Sequence, residues 1–299
     1  VLKPIVTIAR HELGITIATR RAAAAAILYL VAAVLGGVGY LLSVRAIEQQ
    51  AIQALVDKGV DSARAAASVS VAGQQTYQRL IMLLAGTAPE PVAASFTDSV
   101  ILPAFFWGSL AFLPFLVLLT SFDMLAADLQ ARSLCYAVLR APRVTVLLGK
   151  VAAQAILFVG LTVVASVALV GVALAMLTTF QLGAALPGLL RAWALLLPYG
   201  LCYLGLSAFC SASTRQPTLA LVEAIGLMIA LRILGLLAHI PEDAKWALLR
   251  PLQWLSPAHY QAGLWEASPS GPLISVAAYL AFGAAFLALA ARLLERRDL

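Results

Sequence analysis

Four places in this 299-residue sequence carry residue types that could do chemistry, and each lacks something its chemistry needs. Gly149-Lys150 has the end of a phosphate-binding loop, but that motif requires Gly five positions before Gly149, where Val144 stands, and Ser or Thr after the lysine, where Val151 stands. His11-Glu12 begins a zinc-protease pair whose second histidine would fall at Ile15. Gly205-Leu206-Ser207-Ala208 has the form of a serine nucleophile inside an apolar run, as in a six-span intramembrane serine protease. That reaction needs a general base nearby, yet residues 272–291 contain no histidine, and His239 and His259 lie at or beyond the end of their apolar run. Ser207 therefore reads as a small helix-packing residue.

The fourth place is Glu223 and Arg232, two charges in a long apolar stretch. Intramembrane charges mark ion-coupled transporters and substrate paths. Nine positions at about 100° per residue put the two on opposite faces, so they do not pair. Glu223 lies near Arg215, which could neutralise it, and Arg232 is expected to snorkel outward. Either has a structural role or a substrate role, the latter toward an anionic or lipid-like cargo.

The elements that must position these residues are membrane helices. Residues are 62% hydrophobic and only 11% charged, against about 25% charged in soluble domains. About 20 apolar residues cross a bilayer core. Runs of that size predict an all-α polytopic membrane protein with spans at 22–44, 100–122, 151–177, 189–211, 218–240 and 272–291. A turn at Gly183 and Pro187 separates the third span from the fourth, and Pro103, Pro114 and Pro198 predict kinks. The first run follows a basic segment and is long enough to remain as an anchor instead of a cleaved leader. Cys135, Cys202 and Cys210 do not suggest a disulfide framework.

The net charge of +6 is spread between apolar runs, without a patch interleaved with aromatics, so nucleic acid is not an expected partner. The bilayer is. Lys3, Arg10, Arg20, Arg21, Arg132, Arg140, Arg143, Lys150, Arg215, Arg292, Arg296 and Arg297 fall on one side, and the short loops opposite hold Arg191, Lys245 and Arg250. The positive-inside rule then puts both termini in the cytosol.

Outside, residues 45–98 favour a small helical hairpin, with Tyr77, Leu80, Ile81 and Leu84 as a packing stripe. This segment also offers a surface to a periplasmic or extracellular partner. Residues 241–271 form a re-entrant or interfacial outer loop: Trp246, Trp254, Tyr260 and Trp265 suit a membrane interface, and Ser256-Pro257 starts a short helix. Residues 1–21 form an amphipathic N-terminal helix with Leu2, Ile5, Val6, Ala9, Leu13 and Ile17 on one face and Ile8 and Ile15 off it.

Between the second and third spans, 123–143 reads as one helix on the inner surface. Leu125, Leu129, Arg132, Tyr136 and Leu139 fall on one face, Asp123 and Asp128 lie toward its start, Arg140 and Arg143 at its end, and Pro142 stops it. A surface helix tied to two spans is a lever. Here the sequence resembles the permeases of the type-two, export-class ABC transporters. The resemblance rests on Asp123, Asp128, Arg132-Ser133-Leu134 at a Gly-Thr-Leu-like step, Leu139-Arg140-Ala141-Pro142-Arg143, and Leu147-Leu148-Gly149-Lys150. Arg132 stands where the family usually has Gly.

The resemblance implies a coupling helix, with Asp123, Asp128, Arg132, Tyr136, Arg140, Arg143 and Lys150 meeting or supporting an ATPase. It implies two cytosolic ATP-binding subunits and a second permease, either a copy or a relative, in a bacterial-type plasma membrane. The chain itself would bind no cofactor and hydrolyse nothing, since ATP and Mg belong to the partner subunit. An ion-coupled secondary transporter is the alternative, with the serine protease a remoter one.

Overall fold

The computed structural model describes residues 2–18, 21–57, 59, 101–139, 141–176, 182–237 and 247–297, and they are helical nearly throughout. In chain order the α-helices are α1 (Leu2–Ala18), α2 (Arg21–Val56), α3 (Ile101–Ser121), α4 (Ala126–Gln130), α5 (Leu134–Val138), α6 (Arg143–Met176), α7 (Leu182–Ser213), α8 (Pro217–Leu236) and α9 (Ser270–Arg296). Two 3-10 helices, Ala247–Leu255 and Pro257–Trp265, lie between α8 and α9. Among the described residues five helices are long and apolar enough to cross a bilayer, and α2 carries a shorter apolar stretch, Ala26–Leu42. The protein is an all-helical, multi-pass membrane protein. The expected hairpin stripe Tyr77, Leu80, Ile81 and Leu84, together with Trp246 and His239, lies outside the described residues.

Several helices are longer than their apolar runs suggested. The third span was expected from residue 151, but α6 starts at Arg143, directly after Pro142, and the Val146 N–H donates to the Pro142 carbonyl at 3.1 Å. Proline ends one helix and is well suited to open the next, where no N–H is required of it. The turn expected at Gly183 and Pro187 is absent: α7 begins at Leu182 and carries both Pro187 and Pro198 within it. Pro187 frees only a carbonyl near the helix start, where solvent or headgroups can reach it.

Helix α7 is the hub. It packs on α9, α3, α8 and α6, and 72% of its span is buried, against 17% for α8. The closest approach is between α7 and α9, where a Cβ on Gly205 would lie 2.7 Å from the Gly283 carbonyl oxygen. Small residues let the two backbones meet. Tyr199, Tyr203 and Tyr279 fill the adjoining layer with edge-on rings at 5.1 Å. Trp265, expected at an interface, is instead buried and set edge-on to Phe106 at 4.8 Å, while Trp254 is exposed and stacks with His259 at 4.7 Å.

Both chain ends lie on one face of the bundle. Helix α1 rests on the first turns of α6, and the end of α9 meets Arg143 at the same level. This terminal face carries the candidate site.

Candidate functional site: the knob on the terminal face

Residues 123–143 are not one helix. They form α4, a turn and α5, a compact knob whose turn has Arg132 at φ 57°. The Ser133 N–H donates to the Asp128 carbonyl at 3.0 Å, three residues before the cap at Ala131. This is the 6→1 bond of a Schellman ending, which needs a left-handed residue just past the cap. Glycine adopts that conformation freely, whereas a side chain costs about 1–2 kcal/mol. Arg132 bears that strain, and its position accounts for the usual glycine at this step.

The turn corrects the expected face. A left-handed residue breaks the helical phase, so Leu125, Leu129 and Leu134 are buried while Arg132, Tyr136 and Leu139 point outward. Tyr136 is 75% and Leu139 83% exposed, more than any other large hydrophobic side chain among the described residues.

Asp128 holds the turn together. Its Oδ1 accepts from Ser133 Oγ at 2.8 Å, and its Oδ2 pairs with Lys150 Nζ at 2.8 Å. Lys150, only 5% exposed at its side chain, also pairs with Glu12 Oε1 at 2.5 Å. One ammonium therefore joins the N-terminal helix, the knob and the base of α6. Two carboxylates around one buried cation compensate its desolvation, which a single surface pair would not need to do.

Gly149 serves the same junction, because a Cβ there would lie 2.7 Å from Ile8 Cγ2. The Gly149-Lys150 step is thus a seat for α1, glycine admitting the helix and lysine binding it. The expected apolar face of α1 is corrected accordingly. Ile5, Ile8, Ala9, Glu12, Leu13 and Thr16 turn inward, and Val6 and Ile17 are exposed. Hydrophobic pattern alone could not put Glu12 on the packed face.

A second anchor comes from α7. Ser211 Oγ accepts the N–H groups of Leu125 and Ala126 at 2.9 and 3.0 Å, satisfying donors at the start of α4. Asp123, half-buried, accepts the Ala127 N–H on its carbonyl at 3.0 Å.

Arg143 points away from the knob. Its Nη1 reaches the carbonyls of Leu294, Glu295 and Arg297 at 2.8, 2.7 and 2.9 Å, capping the end of α9. A cation suits the negative end of a helix. Arg297 then donates to the Thr214 carbonyl at 3.2 Å and to that of Ser213. Arg140 lies outside the described residues.

The two intramembrane charges are apart from this cluster. Glu223 accepts from Ser213 Oγ and acts electrostatically on Arg297. Arg232 is half-buried within range of Tyr199, Tyr203 and Tyr279. Among the described residues Ser207 donates to no histidine; its Oγ accepts from Ser121 at 2.8 Å in a fully buried contact between α3 and α7. Among the described residues, no group of three or more His, Cys, Asp or Glu side chains is arranged to hold a metal ion.

Residues 6–299 match the family model described as ABC-2 family transporter protein. No curated protein matches the chain.

Proposed function

The chain belongs to the ABC-2 family of transporter proteins and is a membrane component with no ATPase activity of its own; from that premise we propose that the α4–α5 knob is where a cytosolic ATP-binding subunit docks and drives it. The terminal face is then cytosolic, in keeping with its lysines and arginines, and both termini lie inside a bacterial-type plasma membrane. Two ATP-binding subunits serve two permeases, copies or relatives, and carry the ATP and Mg. The transported substance is exported between the permeases.

The observation that carries this reading is the combination of an outward face made of Arg132, Tyr136 and Leu139 with an inward face fastened to three helices. A partner groove that receives Tyr136 and Leu139 removes apolar surface from water, worth about 25 cal/mol per Å². Closure of the ATP-binding pair displaces the knob. Asp128 and Lys150 pass the displacement to α6, Glu12 to α1, and Ser211 to α7. Arg143 ties the same end of α6 to α9, so the terminal ends of the spans move as one block.

The test is co-purification with the ATP-binding subunit encoded beside this chain, followed by ATP hydrolysis in reconstituted vesicles. Asp128→Arg and Tyr136→Ala are expected to assemble poorly or to hydrolyse ATP at the rate of the free subunit. Normal assembly and unchanged hydrolysis in both variants would remove this mechanism.

A further inference from the structure

Arg232 stands on α8 between its buried stripe, Ala220, Ala224, Met228 and Gly235, and its bare flank, Ile229, Ile233 and Leu236. Side chains on a helix lean toward its N-terminus. Since α8 begins on the terminal face, the Cα–Cβ bond of Arg232 tilts toward the middle of the span. Its charge acts on the buried Tyr199, Tyr203 and Tyr279 of the neighbouring helices. Tyr199 Oη already donates to the Leu110 carbonyl at 2.7 Å. Tyr279 Oη has no hydrogen-bond partner although the residue is fully buried. A buried hydroxyl without a partner leaves a donor waiting for an acceptor.

Among the described residues the guanidinium has no carboxylate partner either. The ion pairs of Lys150 are on the terminal face, and the one carboxylate inside an apolar span, Glu223, is held by Ser213. The Glu223 of a second copy does not supply the missing charge. Copies related by an axis along the membrane normal place like residues at like depth, so the partner's Glu223 would stand about 13 Å from the level of Arg232. On the opposite face Glu266 is engaged by Ser268 at 3.2 Å. A cation in a bilayer that none of the described carboxylates neutralises calls for an anion.

We propose that Arg232, together with the partnerless Tyr279 hydroxyl, is a binding position for the phosphate or carboxylate group of an amphiphile, reached along the bare flank of α8. The inference rests on the reading of the chain as one of a permease pair, in which that flank faces either the path between copies or lipid. The arginine fork grips the anionic oxygens. The Tyr279 hydroxyl supplies the additional donor, and the amphiphile's chain lies against Ile229, Ile233 and Leu236.

The test uses the complex with its ATP-binding subunit in phosphatidylcholine nanodiscs, with dodecyl phosphate, dodecylphosphocholine and dodecyltrimethylammonium as probes. Wild-type protein is expected to bind dodecyl phosphate at least about tenfold more tightly than Arg232→Gln does, with Arg232→Lys and Tyr279→Phe each weaker than wild type by a few-fold. Stimulated ATP hydrolysis identifies the anion as cargo. Retention of phosphatidylglycerol by wild type and not by Arg232→Gln, without stimulation, identifies a resident lipid headgroup. Equal binding of all three probes, or binding unchanged in Arg232→Gln, overturns the proposal. Every variant is required to co-purify with the ATP-binding subunit as wild type does. Failure of wild type itself to assemble would count against the permease reading, not against the anion position.

Discussion

Lys150 and Asp128 are 22 positions apart in sequence and form an ion pair of 2.8 Å, which fastens the knob to the base of a spanning helix. The same lysine binds Glu12, so its removal leaves two carboxylates facing one another. Lys150→Ala is predicted to destabilise the protein by about 3 kcal/mol, the low end for breaking a buried pair because both carboxylates keep some solvent. Thermal unfolding in detergent checks this. A double-mutant cycle of Lys150→Gln with Asp128→Asn should give a coupling energy above about 1 kcal/mol.

Arg132 holds a left-handed backbone that only glycine adopts without cost. Arg132→Gly is predicted to raise stability by about 1 kcal/mol, whereas Arg132→Val lowers it by a similar amount or more. Denaturation curves of the two variants against wild type would show opposite displacements. Equal shifts would mean that the turn is not strained.

Tyr136 is three-quarters exposed, and stability should hardly notice it. Tyr136→Ala is predicted to change unfolding free energy by less than about 0.5 kcal/mol, as surface changes do. Assembly with the ATP-binding subunit should nonetheless weaken by tenfold or more, on the order of 1.4 kcal/mol. Titration of labelled ATP-binding subunit onto nanodisc-held permease measures it.

At Gly205 there is no space for a methyl group, because the obstructing atom is the Gly283 backbone oxygen. Gly205→Ala is predicted to cost about 1–3 kcal/mol by forcing α7 and α9 apart. Ser207→Ala, two residues on in the same helix, removes only a hydrogen bond from Ser121 and should cost about 1 kcal/mol. Comparison of the two unfolding midpoints separates backbone contact from hydroxyl loss. Proteolysis of a membrane substrate that vanishes in Ser207→Ala would instead restore the protease reading.

Sequence made the apolar helices legible because lipid demands long uncharged runs, and the family resemblance marked the knob and its seat because Asp128 stands in the one and Gly149-Lys150 in the other. The shape of the knob was hidden. Arg132 fills a glycine position, so the local pattern read as an unbroken helix even though the family preference for glycine pointed to a left-handed turn. Glu12 was visible only as half of a failed zinc motif. Its partner Lys150 is 138 positions away, a distance at which single-sequence periodicity carries no signal. The start of α6 is hidden for a related reason: Arg143 reads as the end of the surface helix and Lys150 as the boundary of the span, but an arginine capping α9 and a lysine neutralised twice are at home inside a long helix.

The most direct measurement of the central claim places a photoreactive benzoylphenylalanine at Tyr136 or Leu139, and at Trp254 on the opposite face as a control, in the complex with its ATP-binding subunit. The account predicts that irradiation joins positions 136 and 139 to the ATP-binding subunit, with a yield that changes on adding ATP, and that position 254 gives no such product. Adducts of 136 and 139 with lipid alone, or capture of the ATP-binding subunit from 254, would contradict it.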